Sequence, residues 1–450
     1  MTRRAMTLIE MMIALSATLL LMAAVAQVFA VFGGAISGSR AVLDLDGRMR
    51  TAAWRLRSDL AGITARTVPA AEAAAEGYLE IIEGPATDAT SLAGIVSGTL
   101  NDAVGGIVSG DHDDVLLFTT RNSEAPFIGR APTVSASATA LVDTFESTVA
   151  EVAWFARPTP GSSGPVTYTV YRRQLLVMGY VGADPFRVGE NTVGWSSWAG
   201  YFNSPCDVSV RREGSVLFPN TLADLSRREC RFMHNVAGLT TSGFPFPFVA
   251  HQAASTSGTA ELLPAAIEGL VFDATSQRRG EDVVLTHVLG FDVRVFDPAA
   301  PVGLATGGTP VVPGDPGFPG PAAVASGAYV DLGHGVTVND LLPAVPAHFA
   351  GFGDARSGLQ AAGSSDRRTY DTWSSNYEAN GRDEDGDTLV DESLNGLDDD
   401  GNGVIDDAGE RETAPPYGFP LRGIEVRIRC YEPTSRQVRQ ITVRHTFVPH

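Results

Sequence analysis

From Met11 to Phe32 the chain holds 22 consecutive uncharged residues, interrupted strongly only by Gln27. As a helix this run is about 33 Å long, enough to cross a bilayer. A cleaved secretory signal has a shorter apolar region followed by a small-x-small site, so a retained membrane helix is the expectation. Gly33, Gly34 and Gly38 come next and are expected to loosen or bend the helix. The apolar positions then resume at steps of three and four: Val42, Leu45, Met49, Ala52, Leu56, Leu60 and Ile63. Arg40, Arg48, Arg50, Arg55, Arg57 and Asp59 are placed mostly off that stripe. A second, amphipathic stretch of the same helix is therefore predicted, ending before Pro69.

Beyond the helix the pattern turns to strands. "DVLLFTTR" (114–121), "TVAEVAWFARP" (148–158), "VTYTVYRRQLLVM" (166–178), "VVLTHVLGFDVRVFDP" (283–298) and "LRGIEVRIRCYEP" (421–433) are rich in β-branched and aromatic residues. In the last, Ile424, Val426 and Ile428 alternate with Glu425, Arg427 and Arg429, as in a half-buried strand. "SRQVRQITVRHTFV" follows a short turn, so a C-terminal hairpin is expected. Residues 299–327, crowded with Pro and Gly, read as an irregular insertion, and residues 70–110, Ala/Gly-rich, carry no clear pattern. The expected class is α+β. A membrane helix (6–34) and an amphipathic helix (35–67) lead into a β-rich domain (68–377). An acidic segment (378–412) and the hairpin that completes the β domain (413–450) follow.

Charge sharpens that division. The net charge is −19 over 450 residues, which argues against nucleic acid as a partner. Between Glu378 and Glu412 there are 14 acids and 2 arginines, so the rest of the chain carries only −7. Arg3 and Arg4 ahead of the apolar run suggest a cytoplasmic N-terminus, but Arg40, Arg48 and Arg50 follow it, so basic residues alone do not set the topology. Of three cysteines, Cys206 and Cys230 share a segment and Cys430 lies near the C-terminus. Two readings stand: a Cys206–Cys230 disulfide if the domain is extracytoplasmic, or three buried thiols.

The acidic segment repeats with a period of 15. "NGRDEDGDTLVDE" (380–392) and "NGLDDDGNGVIDD" (395–407) share the pattern N-G-x-D-x-D-G-[DN]-x-x-[VIL]-D-[DE]. Oxygen donors at loop positions 1, 3, 5 and 9 suit Ca²⁺, which takes 6–8 oxygen ligands. They are Asp383, Asp385, Asp387 and Asp391 with the Leu389 carbonyl at position 7, then Asp398, Asp400, Asn402 and Asp406 with the Val404 carbonyl. The loops resemble EF-hand and dockerin-type calcium loops, with departures. Leu394 and Gly409 replace the bidentate acid of position 12, and Thr388 replaces glycine at position 6 of the first loop. A further ligand is sought among Glu392, Asp407, Glu410, Asn380 and Asn395. The competing reading is a solvated acidic linker. No GxSxG, HExxH, P-loop or dinucleotide fingerprint occurs. His112 in "DHDD" (111–114) abuts a predicted strand, and this stretch reads as a surface turn.

One residue does not fit a plain membrane anchor. Glu10 lies among Met6, Leu8, Ile9 and the apolar run, and a carboxylate at a helix centre in lipid costs about 2.5–3.5 kcal/mol on insertion scales. "RRAMTLIEMMIALSATLLL" resembles the prepilin signal of type IV pilins and type II secretion pseudopilins. The resemblance implies a leader of residues 1–5, peptidase cleavage between Ala5 and Met6, and N-methylation of Met6. Ala5 stands where the family usually has Gly, and Met6 where it usually has Phe. It also implies a partner for Glu10: the new Met6 ammonium of a neighbouring subunit. Two such charges 4 Å apart attract by about 4 kcal/mol at an effective dielectric near 20. A glutamate snorkelling to the headgroups is the plainer alternative.

The order "RMRTAAWRLRSDLAG", "DVLLFTTR", "VAWFARP", "YTVYRRQ" and a final strand pair is similar to J-type minor pseudopilins or W-type minor pilins. The resemblance implies a non-enzymatic filament subunit, with the inner membrane, prepilin peptidase and other pseudopilins as partners and the C-terminal domain in the periplasm. A calcium-dependent adhesion subunit at a pilus tip is the rival, with the 70–110 and 299–380 insertions binding a target. An unprocessed single-span protein is the third reading.

Overall fold

The computed structural model of the chain describes residues 7–67, 76–83, 88, 110–133, 141–159, 167–178, 207–213, 216–227, 230–232, 281–318, 323–332, 334, 369–372, 381, 389–392, 395–406, 410 and 421–447. It opens on α1 (Leu8–Ala61), 54 residues without a break and so about 81 Å long. Gly33, Gly34 and Gly38 do not interrupt it. Each glycine costs a helix only about 1 kcal/mol relative to alanine, too little to break a helix of this length. Thr7 to Ser37 are exposed throughout. Contact with the rest of the chain begins near Gly38, which approaches Ser435.

The strands, in chain order, are β1 (Leu79–Ile82), β2 (Val115–Arg121), β3 (Phe127–Thr133), β4 (Leu141–Ser147), β5 (Val149–Pro158), β6 (Tyr168–Leu176), β7 (Val210–Glu213) and β8 (Val216–Pro219). A one-turn helix α2 (Leu222–Leu225) follows. Then come β9 (Val283–Leu304), β10 (Pro310–Val311), β11 (Ala325–Val330), β12 (Thr369–Asp371), β13 (Gly423–Glu432) and β14 (Gln437–Thr446). The main sheet is antiparallel, in the order β12-β1-β2-β5-β6-β9-β13-β14, with β10 and β11 also pairing β9. The pairs β3-β4 and β7-β8 form separate ribbons. The chain is thus α+β, a long apolar helix set against a large antiparallel sheet.

The amphipathic stretch of α1 packs on one face of this sheet. Leu45, Met49, Ala52, Leu56 and Leu60 of the predicted stripe are buried against Leu116, Phe118, Val152, Trp154, Phe291, Val293, Ile424, Val426, Ile428 and Val443. Asp59 departs from the expectation. It is 4% exposed, on the buried face, because it follows Leu56 by three residues. Its carboxylate takes Arg172 in a two-pronged pair (Nε–Oδ2 2.6 Å, Nη2–Oδ1 2.7 Å) and the Trp154 indole N–H at 2.9 Å. Thr120 donates to the Asp59 carbonyl at 2.7 Å. The helix therefore ends at Ala61, short of residue 67, and the chain leaves it by pairing with the end of β2. Arg121 N donates to Gly62 O at 2.7 Å, and Thr64 N to Thr119 O at 3.0 Å. Gly62 is required there, since a β-carbon would collide with Thr120 and the Arg121 carbonyl.

The opposite face of the sheet is also covered, which the alternation in β13 did not suggest. Glu425 is fully buried, held by Arg427 and Arg444. The Pro/Gly-rich stretch predicted as irregular accounts for part of that cover. β9 runs on to Leu304, β10 and β11 pair back onto it, and Asp315 and Asp331 reach the buried Arg294. "DHDD" is corrected as well. Asp111, His112, Asp113 and Asp114 are all buried, not at a surface turn, because this segment takes the place beside β9 that β6 vacates. Gly110 N donates to Leu289 O (2.6 Å), Phe291 N to Asp111 O (2.8 Å) and Val293 N to Asp114 Oδ2 (2.6 Å).

Candidate functional site

Two features singled out in the sequence have definite geometry: the start of α1 and the acidic repeat. Thr7 caps α1 and forms a reciprocal capping box with Glu10. Glu10 Oε2 accepts from Thr7 N at 2.8 Å and from Thr7 Oγ1 at 3.0 Å, while Thr7 Oγ1 accepts from Glu10 N at 3.3 Å. Glu10 therefore has a local role within its own helix, which the sequence reading missed. Threonine followed three residues later by glutamate, ahead of an apolar run, was the available signal. The apolar part of α1 is unburied, and the helix is long and apolar enough to cross a membrane. Ala5 and Met6 lie outside the described residues.

The repeat is visible in the backbone. Gly381 and Gly396 take left-handed conformations at φ 75° and 80°, and Asp391 and Asp406 do so at φ 52° and 51°. In each unit the glycine N–H donates to the aspartate ten residues on, at 2.8 Å in both. Non-glycine residues rarely adopt positive φ, and aspartate is among those that tolerate it best. The two copies thus share a turn as well as a sequence.

In the second unit the donors converge. Asp398 Oδ2 accepts from Gly403 N (2.9 Å), Asp400 Oδ1 from Asn402 N (2.9 Å) and Asn402 Oδ1 from Val404 N (2.8 Å). These bonds curl the chain so that side-chain oxygens face inward. Glu410 joins them: carboxylate oxygens of Asp398, Asp400 and Glu410 all lie within 4.8 Å of one another. Glu410 is only 1% exposed although residues 400–406 are all exposed, and its Oε1 accepts from Asp399 N at 2.5 Å and Asp400 N at 3.3 Å. Asp406 is turned toward Gly396, and Val404 and Leu389 are exposed. An all-oxygen set at this spacing fits a hard cation whose ligands stand about 2.3–2.6 Å from it. Calcium here would supply charge neutralisation alone. Asp383, Asp385 and Asp387 of the first loop, with Asn380 and Asp407, lie outside the described residues.

Cys230 and Cys430 are buried, and burial pushes the Cys430 thiol up to about 12. Cys206 lies outside the described residues. Compared with known proteins, the chain matches no family model, no curated protein and no solved structure.

Proposed function

We propose that the chain is a minor pseudopilin of a type II secretion system, a non-enzymatic subunit anchored in the inner membrane by α1 with its β domain in the periplasm. In this reading prepilin peptidase cleaves between Ala5 and Met6, Met6 is methylated, and the subunit joins or initiates a pseudopilus with other pseudopilins. The observation that carries it is the coincidence of "TLIE" with one unbroken helix. Its first half stands bare and apolar while its last third is locked into a sheet. A bare apolar helix is costly in water and needs lipid or other helices around it.

The capping box is compatible with assembly. Both bonds from Thr7 fall on Glu10 Oε2, which leaves Oε1 for the Met6 ammonium of a neighbour. Leu43 and Trp54, eleven residues apart and so on one helix face, are exposed outside the buried stripe. They offer adjoining subunits an apolar contact beyond the membrane.

Mass spectrometry of the protein from membranes tests the reading. A methylated chain beginning at Met6 is expected; Arg3 and Arg4 retained on the mature protein would overturn it. Glu10→Ala should leave the protein cleaved and anchored but poorly incorporated into filaments. Normal incorporation would return Glu10 to a helix cap and no more.

A calcium-dependent adhesion subunit at a pilus tip is the second reading. The exposed Leu397, Val404 and Ile405 on the acidic repeat favour it. Deleting residues 395–406 separates the two: lost assembly supports the scaffold, and intact assembly with lost attachment supports adhesion.

A further inference from the structure

Away from the acidic repeat, five carboxylates meet inside the sheet's second face. They come from the end of β1 (Glu83), the segment before β2 (Asp111, Asp114), β9 (Asp292) and the residue after β11 (Asp331). Carboxylate oxygens of Glu83, Asp111 and Asp331 lie within 4.8 Å of one another, and so do those of Asp111, Asp114 and Asp292. All five residues are buried.

Asp111 is the member common to both groups. It is 0% exposed, and neither of its carboxylate oxygens has a hydrogen-bond partner among the described residues. Its backbone is held firmly all the same. Its carbonyl accepts from Phe291 N, and its N–H donates to Asp88, which Arg429 grips with two bonds at 3.1 Å. Gly110 gives this segment room, since a β-carbon there would strike Arg429 and Asp88. The fold thus places a buried carboxylate without a hydrogen-bond partner among four more.

The nearby cations are engaged by other carboxylates, with only Arg294 Nη2 lacking a hydrogen-bond partner among the described residues. Arg294 donates through Nε to both oxygens of Asp292 (3.1 and 3.0 Å), through Nη1 to Asp315 (2.8 Å), and stands 2.9 Å from Asp331. Arg427 is divided among Glu425, Asp315 and Asp292. Burial, then the charges of Asp114, Glu83, Asp292 and Asp331, push the Asp111 carboxyl well above the usual carboxylate range. A buried charge without compensation costs several kcal/mol, so the pocket must take up protons or a cation.

We propose that this pocket is a second divalent-cation site, of the calcium class, with Asp111 as its central ligand and Glu83, Asp114, Asp292 and Asp331 around it. The donors are all carboxylate oxygens, which select a hard cation over zinc or copper. Within each group of three, spacings up to 4.8 Å match oxygens about 2.4 Å from a common centre, and Asp111 belongs to both groups. An ion there ties segments 248 residues apart in the chain, closing the second face of the sheet from within. The site is independent of the acidic repeat and of the filament role.

The test uses the full chain in detergent, with the repeat disabled by Asp383→Asn, Asp385→Asn, Asp398→Asn and Asp400→Asn. After chelator treatment and dialysis against calcium, mass spectrometry of bound metal should find one calcium per chain, and the thermal midpoint should be higher in calcium than in chelator. Adding Asp111→Asn should remove both the bound ion and the calcium-dependent shift. No calcium on the repeat-disabled parent, or calcium retained after Asp111→Asn, overturns the proposal. If Asp111→Asn does not fold, Asp331→Asn in the same parent serves, and the parent's own stoichiometry decides alone. A protein with the repeat intact and Asp111→Asn should keep any calcium-dependent protease protection of residues 380–410, so the two sites fail separately.

Discussion

Asp59 and Asp111 are both buried carboxylates, 4% and 0% exposed, and the fold treats them in opposite ways. Asp59 is fully matched: Arg172 takes both its oxygens and Trp154 adds a third bond. Asp111 is matched at its backbone alone, with its carboxylate turned toward other acids. The first needs nothing more and locks α1 to the sheet. The second is complete only when a proton or a cation arrives. Burial of an acid is thus no guide to its role; what counts is whether its charge is answered by this chain.

The largest effect should come from breaking the matched side. Asp59→Ala leaves Arg172 buried without its counterion, which typically costs about 3–5 kcal/mol. Urea denaturation followed by the circular dichroism of the detergent-solubilised protein measures it. A loss under about 1 kcal/mol would mean that the pair is a surface-like contact. Trp154→Phe is a gentler cut, since it keeps an aromatic ring but removes the pyrrole part of the indole, leaving a small cavity and losing one bond to a charged group, worth about 1.5–3 kcal/mol. The double variant tests coupling, because both residues act on one carboxylate and their losses should not add.

On the unmatched side the sign reverses. Asp111→Asn should raise stability in chelator near neutral pH by about 1 kcal/mol, because without a cation the raised Asp111 carboxyl must bind a proton on folding or stay charged in the interior, and the amide does neither. The same substitution should lower stability in calcium. Equal behaviour in both media would make the cluster a proton-sharing group and remove the cation half of the contrast with Asp59.

Much of the fold was legible in sequence, for reasons that also explain the gaps. Strands β2, β5, β6, β9, β13 and β14 fall within a few residues of the predicted segments, since β-branched and aromatic runs have few other homes. The stripe from Leu45 to Leu60 was read residue by residue. What escaped was charge inside. Asp59 was grouped with the charged residues mostly off the stripe, although its spacing from Leu56 put it on the buried face. β1 was too short, at four residues, to stand out within an Ala/Gly-rich stretch. The buried carboxylates are scattered from Glu83 to Asp331, so only the folded sheet assembles them. The acidic repeat stood out because it lies in one stretch of chain. Of the five residues considered as additions to it, Glu410 is the one among the described residues whose carboxylate lies with those of Asp398 and Asp400.

The repeat also supplies the smallest expected effect on overall stability, and that contrast is informative. Asp398 and Asp400 are exposed, and their amide partners lie within their own loop. Surface substitutions of this kind usually change stability by less than about 0.5 kcal/mol. Asp398→Asn with Asp400→Asn should therefore leave the global unfolding midpoint in chelator almost unchanged. Limited proteolysis should respond instead. If the repeat binds calcium as proposed, the wild-type segment 395–410 should resist in calcium a cleavage that chelator permits, because the ion would offset the repulsion among the eleven acids from Asp383 to Asp407. The double variant should be cut equally fast in both media. Cleavage of the wild type at one rate in calcium and in chelator would reduce the repeat to a pair of hydrogen-bonded turns. The carboxylates that answer to a cation would then be those enclosed by the sheet.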